Sequence, residues 1–314
     1  LQWINMMRDL VAYRGRAEQL RPYLPFAREV LEWFLVRRRA DGLLGQIQYA
    51  PFVDWAPAFE AGNAPQDNDG GSAILTMMLA ETCGHMAILE QACGYPELVG
   101  RWQIASQSLR AAAMTQCWNS DRKLLADTPS RRSYSVHAQV QAILAGTLTG
   151  SDATDALQRA LDADDVVQPG TLYYRYYLVQ AAKAAGRPEL LFDLLEVWHG
   201  MLEGTGLTTW PESDRHPRSD CHAWSVTPAI ELLQTVLGVQ PAKYANGLDE
   251  IRFAPALGPL PGARGAIPTP HGTISVALAR RQDGRVDAQI DTPVPFMVVG
   301  SDDKLPPGRH ELVV

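Results

Sequence analysis

The sequence predicts a mainly α-helical protein, an α/α toroid or solenoid, with a small antiparallel β-sandwich at its C-terminal end. Three observations carry this. Apolar residues recur at helical spacing over the first 240 or so positions. The helical stretches are joined alternately by short turns and by longer polar loops, as in helical hairpins. After Pro241 the apolar period changes from helical to alternating. No fixed-length repeat of the solenoid type is present.

Trp3, Ile4, Met7, Leu10 and Val11 define a first helix that Gly15 ends. A second runs over about 17–39, with Pro25 as its kink or boundary. Residues 41–69 break the pattern with Gly, Pro, Asn and Asp, a length that in compact domains often marks function. A helix over 72–92 and a partner to about Trp118 follow, with Gly94, Tyr95 and Pro96 between them. After a polar loop at 119–134, helices are predicted near 135–145, 153–163, 172–185 and 188–203. A third unusual loop spans 204–222, and a last helix runs from Trp224 to Leu237 and stops at Gly238. Strands are predicted at 251–253, 274–281, 285–291, 296–299 and 310–314, with a hairpin turn at Gln282, Asp283 and Gly284.

The chain has 314 residues, 46% hydrophobic and 20% charged, enough for a sizeable core and about two domains. A net charge of −7 with no basic block argues against a nucleic-acid partner or an anionic membrane. No stretch reads as a membrane helix, and no signal peptide is read at the start, which leaves the compartment open. Cys83, Cys93, Cys117 and Cys221 are isolated, so neither a metal site nor a disulfide framework is expected, and Cys83 and Cys93 read as buried thiols. Walker, dinucleotide, zincin and nucleophile-elbow motifs are absent, and no cofactor is expected.

The richest chemistry lies in residues 206–224, where Trp210, Glu212, Arg218, Asp220, His222 and Trp224 crowd one loop between helices. Carbohydrate sites combine carboxylates for proton transfer with aromatic faces for ring stacking. The plainer alternative is a polar loop in which Ser219 or Asp220 caps the next helix. Asp54 and Trp55 form a second, weaker candidate in the 41–69 loop. In the run 173–177, Tyr173 and Tyr177 share a helix face and Tyr174 lies on the next, so some line the core and others are candidates to line a pocket, with a core role favoured for any one of them. His137 starts a helix after a polar loop and reads equally well as a functional residue or as a surface or capping histidine, and His85 and His199 read as structural.

Residues 208–212 (Thr-Thr-Trp-Pro-Glu), 218–225 (Arg-Ser-Asp-Cys-His-Ala-Trp-Ser) and Pro228 together resemble the C-terminal signature of the bacterial α-L-rhamnosidase family. The stretches 41–43 with 52–55, 237–241, 251–255 and 268–274 match the same pattern in the same order. The resemblance covers essentially the whole chain. It implies an (α/α)6 barrel, here incomplete, over residues 1–241 and the family's small β-sandwich over 242–314. It implies an inverting glycosidase acting on rhamnosyl glycosides, with Glu212 as general base. Asp54, Trp55, Trp210, His222 and Trp224 fall where the family lines its sugar pocket. The family's general acid lies upstream of the helix that begins this chain, and about nine helices are read where a closed barrel needs twelve. The expectation is therefore a fragment carrying the base half of the site, inactive alone. Two alternatives are a toroid hydrolase of unsaturated uronic sugars, which needs a cation such as Arg175 or Arg218, and a non-catalytic carbohydrate-binding protein.

Overall fold

A computed structural model describes residues 1–215, 217–301 and 303–314. The chain forms two compact units, residues 1–6 with 21–187 and residues 7–20 with 188–314. The result is mainly helix with a strand-rich C-terminal part.

The helices are α1 (Gln2–Arg14), α2 (Ala17–Leu20), α3 (Leu24–Leu35), α4 (Ala73–Cys93), α5 (Pro96–Cys117), α6 (Val136–Leu144), α7 (Gly150–Asp162), α8 (Leu172–Ala184), α9 (Leu190–Thr205) and α10 (Thr227–Glu231). Gly15 ends α1 with a positive φ of 70°. The expected helix over 17–39 is broken one turn before Pro25, by a 3₁₀ segment at Arg21–Tyr23. The proline ring would clash with the carbonyl four residues back, so the helix restarts with Pro25 in its first turn. The last helix is also subdivided, into a 3₁₀ turn at Ala223–Ser225, α10, and a π-helical segment at Leu232–Val236. Pro228 in the first turn of α10 supplies no N–H to bond back to the 3₁₀ turn.

In the first unit α4 is the central helix, in contact with α3, α5 and α6, while α6 packs on α7 and α8. Ser72 caps its N-terminus and left-handed Gly94 ends it, turning the chain into α5. α4 corrects the expectation that no stretch reaches membrane-helix length and apolarity: it is 21 residues long, and an 18-residue stretch of it has a mean hydropathy of 1.2. Residues all round α4 are buried in the unit, which accounts for its apolarity. Cys83 and Cys117 are buried, and desolvation pushes each thiol up to about 12. A two-stranded ribbon, β1 (Trp118–Asn119) and β2 (Leu124–Leu125), sits in the 119–134 loop.

In the second unit, β5 (Gly262–Thr269), β6 (Gly272–Arg280), β7 (Val286–Thr292) and β10 (Gly308–Val313) form an antiparallel sheet in the order β10-β7-β6-β5. Ile274, Val276 and Leu278 alternate into its buried face. β5 escaped the sequence reading because its Gly- and Pro-containing run shows no alternation. It is an edge strand, where Pro268 is tolerated. The other sheet, β3 (Val239–Pro241), β4 (Ile251–Phe253), β8 (Phe296–Val298) and β9 (Lys304–Leu305), corrects the expectation of wholly antiparallel pairing. β4 and β8 run parallel. The segment between them enters the other sheet and returns as a crossover, so it arrives in the same direction. Phe296 meets His310 of the first sheet edge-on, with ring centroids 5.1 Å apart.

Gly238 leads into β3 with φ +76°, and a Cβ there would lie 2.2 Å from the Pro255 nitrogen. Gly238→Ala is expected to cost roughly 2–3 kcal/mol through left-handed strain and backbone overlap. Chemical denaturation checks this, and a change within about 0.5 kcal/mol would show that the junction yields.

Candidate active site

Trp210, Glu212, His222 and Trp224 are brought together in the second unit by one laced loop. The His222 N–H donates to the Trp210 carbonyl at 2.5 Å, and the Glu212 N–H donates to the Ser219 carbonyl at 2.8 Å. The two arms of the loop therefore lie side by side. The Trp224 indole N–H donates to the Glu212 carbonyl at 2.8 Å, and its ring lies 4.6 Å from that of His222. From α9, the Trp198 indole N–H holds the Ser225 carbonyl at 2.9 Å. These bonds satisfy backbone groups of an irregular segment that has no ladder of its own.

Glu212 is only 7% exposed. Arg218 grips it: the Arg218 backbone N–H (3.2 Å) and Nε (3.1 Å) both donate to Oε2, and Nη2 donates to Oε1. The guanidinium hydrogen bond is the main reason the Glu212 carboxyl is held below its usual range. Oε2 takes two donors and Oε1 one, so a lone pair on Oε1 stays available to accept a proton. Such a group is ionised over a wide pH range and can take a proton from water. Arg218, one of the two cations considered for a uronic-acid pocket, is engaged by Glu212, and its far side is exposed. Sequence reasoning missed this clamp, although an acid and an arginine six residues apart in one loop were the available signal.

Trp210 is 36% exposed and stands, with Pro211, on the wall of a cavity of about 500 Å³. Trp198, Leu202 and Leu207 form its apolar side, and Glu212, His222 and Trp224 do not line it. A larger cavity of about 820 Å³ in the same unit, between α1 and the 267–270 turn, contains none of the candidate residues.

Asp54 and Trp55 lie in the first unit. Trp55 is 52% exposed, with its ring edge-on to Phe52. Asp54 differs from the expectation that it would reach sugar hydroxyls: it is fully buried. Its Oδ2 receives Nε2 of His137 at 2.9 Å and the Gly170 N–H at 2.7 Å, and its Oδ1 receives the Thr171 hydroxyl at 2.5 Å. His137, for which a surface or capping position was one of two equal expectations, is buried between the rings of Phe59 and Tyr174. Tyr174 is core, and burial pushes its hydroxyl pKa well up. The Tyr173 and Tyr177 hydroxyls meet at 3.0 Å on the shared face that the spacing predicted. Among the described residues no cluster of three or more His, Cys, Asp or Glu side chains is arranged for a metal ion.

Three solved structures superpose over nearly all of the chain. A GH78 family rhamnosidase of Bacillus sp. GL1 matches 95% of it with a TM-score of 0.78 and 24% identity. The α-L-rhamnosidase of Aspergillus terreus matches 99% at 0.79 and 17%, and that of Dictyoglomus thermophilum 99% at 0.75 and 14%. The chain has the α-L-rhamnosidase fold. It spans 33%, 38% and 39% of those three chains, between a third and two-fifths of a whole rhamnosidase structure. No family model and no curated protein sequence matches it. Within the rhamnosidase fold, the Glu212 loop follows α9 and the strand-rich part follows the Glu212 loop.

Arg218→Met gives a direct reading of the clamp. Without the guanidinium the Glu212 pKa rises toward its ordinary value, and a base is lost as pH falls through its pKa. If Glu212 serves as a catalytic base, the acidic limb of kcat/KM therefore moves to higher pH, most clearly at low salt because Arg218 is exposed. A superimposable pH profile would reject Glu212 as the titrating base.

Proposed function

We propose that this chain is part of the catalytic region of an inverting α-L-rhamnosidase, acting on terminal α-L-rhamnosyl groups of glycosides or polysaccharides. The helices within 1–241 are read as a portion of an (α/α)6 toroid and 242–314 as its accessory β-sandwich, with β3 (Val239–Pro241) already paired into the latter. The observation that carries the reading is Glu212: a nearly buried carboxylate, kept ionised by Arg218, in a tryptophan-lined loop of a chain with the rhamnosidase fold.

In this reading Glu212 accepts a proton through Oε1 from a water that attacks the anomeric carbon. The general acid that protonates the leaving oxygen belongs to a carboxylate outside residues 1–314. In inverting enzymes the two carboxyls stand about 6.5–9.5 Å apart to leave room for that water. Trp210, His222 and Trp224 contact the sugar around Glu212, the indoles offering apolar faces and His222 a polar nitrogen. In its own unit Trp55 is a stacking face, and Asp54 contributes by positioning rather than by contact. The engagement of Arg218 by Glu212 removes one of the two cations, Arg175 and Arg218, that a uronic-acid substrate would call on.

The test is hydrolysis of a panel of aryl glycosides by the full-length protein. Turnover of the α-L-rhamnoside with release of β-L-rhamnose is expected, and residues 1–314 alone are expected to be inactive on unactivated glycosides. Preference for another sugar, or retention of configuration, would overturn the proposal.

A further inference from the structure

The His137–Asp54 pair consists of buried polar groups outside the Glu212 loop. We propose that His137 is a positioning residue: through Asp54 it pins the 52–63 loop to the start of α8 and thereby orients the Trp55 indole.

The geometry is specific. Asp54 immediately precedes Trp55, and its carboxylate collects one donor from α6 and two from the 170–171 turn. Thr171 serves twice, since its oxygen also caps α8 by accepting the Tyr174 N–H at 3.2 Å. The pinned carboxylate thus sits at a helix N-terminus, where backbone dipoles favour negative charge. Behind it the two backbones touch: a Cβ on Gly170 would lie 2.4 Å from the Trp55 carbonyl oxygen. The loop is closed on itself by the Val53 N–H, which donates to the Gly62 carbonyl at 2.8 Å. Phe59, near its far end, lies against His137 with ring centroids 4.6 Å apart and planes tilted by 45°. His137 therefore touches the loop twice, by hydrogen bond and by ring face, while the indole it serves is half exposed. Among the described residues the Nδ1 atom of His137 has no hydrogen-bond partner, and the ring's hydrogen bond goes to Asp54. A histidine kept only for packing would not need that Nε2–H, and its burial is justified by the one bond it makes.

The variants separate orientation from packing. His137→Phe keeps a ring between Phe59 and Tyr174 and removes the donor. His137→Gln places an amide N–H near the Nε2 position and should restore it. His137→Asn, whose shorter amide reaches only the Nδ1 position, replaces the Phe variant if that one does not fold. In amide hydrogen exchange of the unliganded protein, the Phe or Asn variant is expected to lose protection in 52–63 and 170–172 with α4 and α5 unchanged, and the Gln variant to recover it. Calorimetric binding of L-rhamnose is expected to weaken about ten-fold, as much as in Trp55→Ala. Combining His137→Phe with Trp55→Ala should add nothing further. The sugar arm rests on the reading of Trp55 as a stacking face, whereas the exchange arm does not. Failure of the unaltered protein to bind L-rhamnose would therefore sink that reading and leave exchange to decide the clamp. Unchanged exchange in 52–63, a loss spread through the whole unit, additive binding losses, or collapse of all three His137 variants would each overturn the proposal.

Discussion

Glu212→Gln is expected to lower turnover of a rhamnoside by about 10²- to 10⁴-fold while leaving the thermal unfolding profile nearly unchanged. The amide has the shape of the carboxylate and keeps a carbonyl oxygen for Arg218, so the loop retains its lacing through the backbone of residues 210–222. What is lost is the negative charge and with it the ability to take a proton from water, because an amide is not a base near neutral pH. The loss should fall on kcat more than on KM, since the proton moves in the transition state and not on binding. A variant with near-normal kcat would remove Glu212 from the chemistry. A collapsed melting temperature would mean that the Glu212–Arg218 pair is a structural clamp and nothing more.

The largest expected effect on stability lies in the first unit, at Arg28. Glu90 is fully buried in the last turn of α4, among the apolar residues that cover that helix on all sides. Its carboxylate is held by both prongs of the Arg28 guanidinium, at 2.8 and 2.7 Å, and by the indole N–H of buried Trp102 on α5 at 3.1 Å. Arg28 in turn has its pKa raised, chiefly by that hydrogen bond to Glu90. Removing the guanidinium strands a carboxylate where water cannot reach it easily. Breaking such a pair from one side costs about 3–5 kcal/mol, and the lower end applies here because Arg28 is partly solvated. Arg28→Met is thus expected to lose about 3 kcal/mol in denaturant unfolding, with much of the loss recovered by Arg28→Met combined with Glu90→Gln, whose amide needs no counter-charge. A single variant within about 0.5 kcal/mol of the unaltered protein would show that water or a local shift satisfies Glu90.

What the amino-acid sequence determined by itself was local. Helical spacing and the glycines at positions 15, 94 and 238 marked where helices run and stop, because periodicity and left-handed backbone are properties of a few neighbouring residues. The switch to alternation after Pro241 marked the strands whose faces are unequally buried, and missed β5, whose edge position relaxes that pattern. The Glu212 loop was legible because its tryptophans, acid and histidine all fall between positions 210 and 224. The tertiary structure decided the partners. It set His137 against Asp54 from 83 residues away and brought Thr171 to the same carboxylate from 117 residues away. It turned a residue expected to face a sugar into a buried anchor. It also ran β8 alongside β4 in the parallel sense after a crossover through the other sheet. The physical reason is common to all three. Periodicity reports which side of an element leaves water, whereas a buried carboxylate or a strand edge is satisfied by whichever distant donor the packing delivers, and that choice has no local trace.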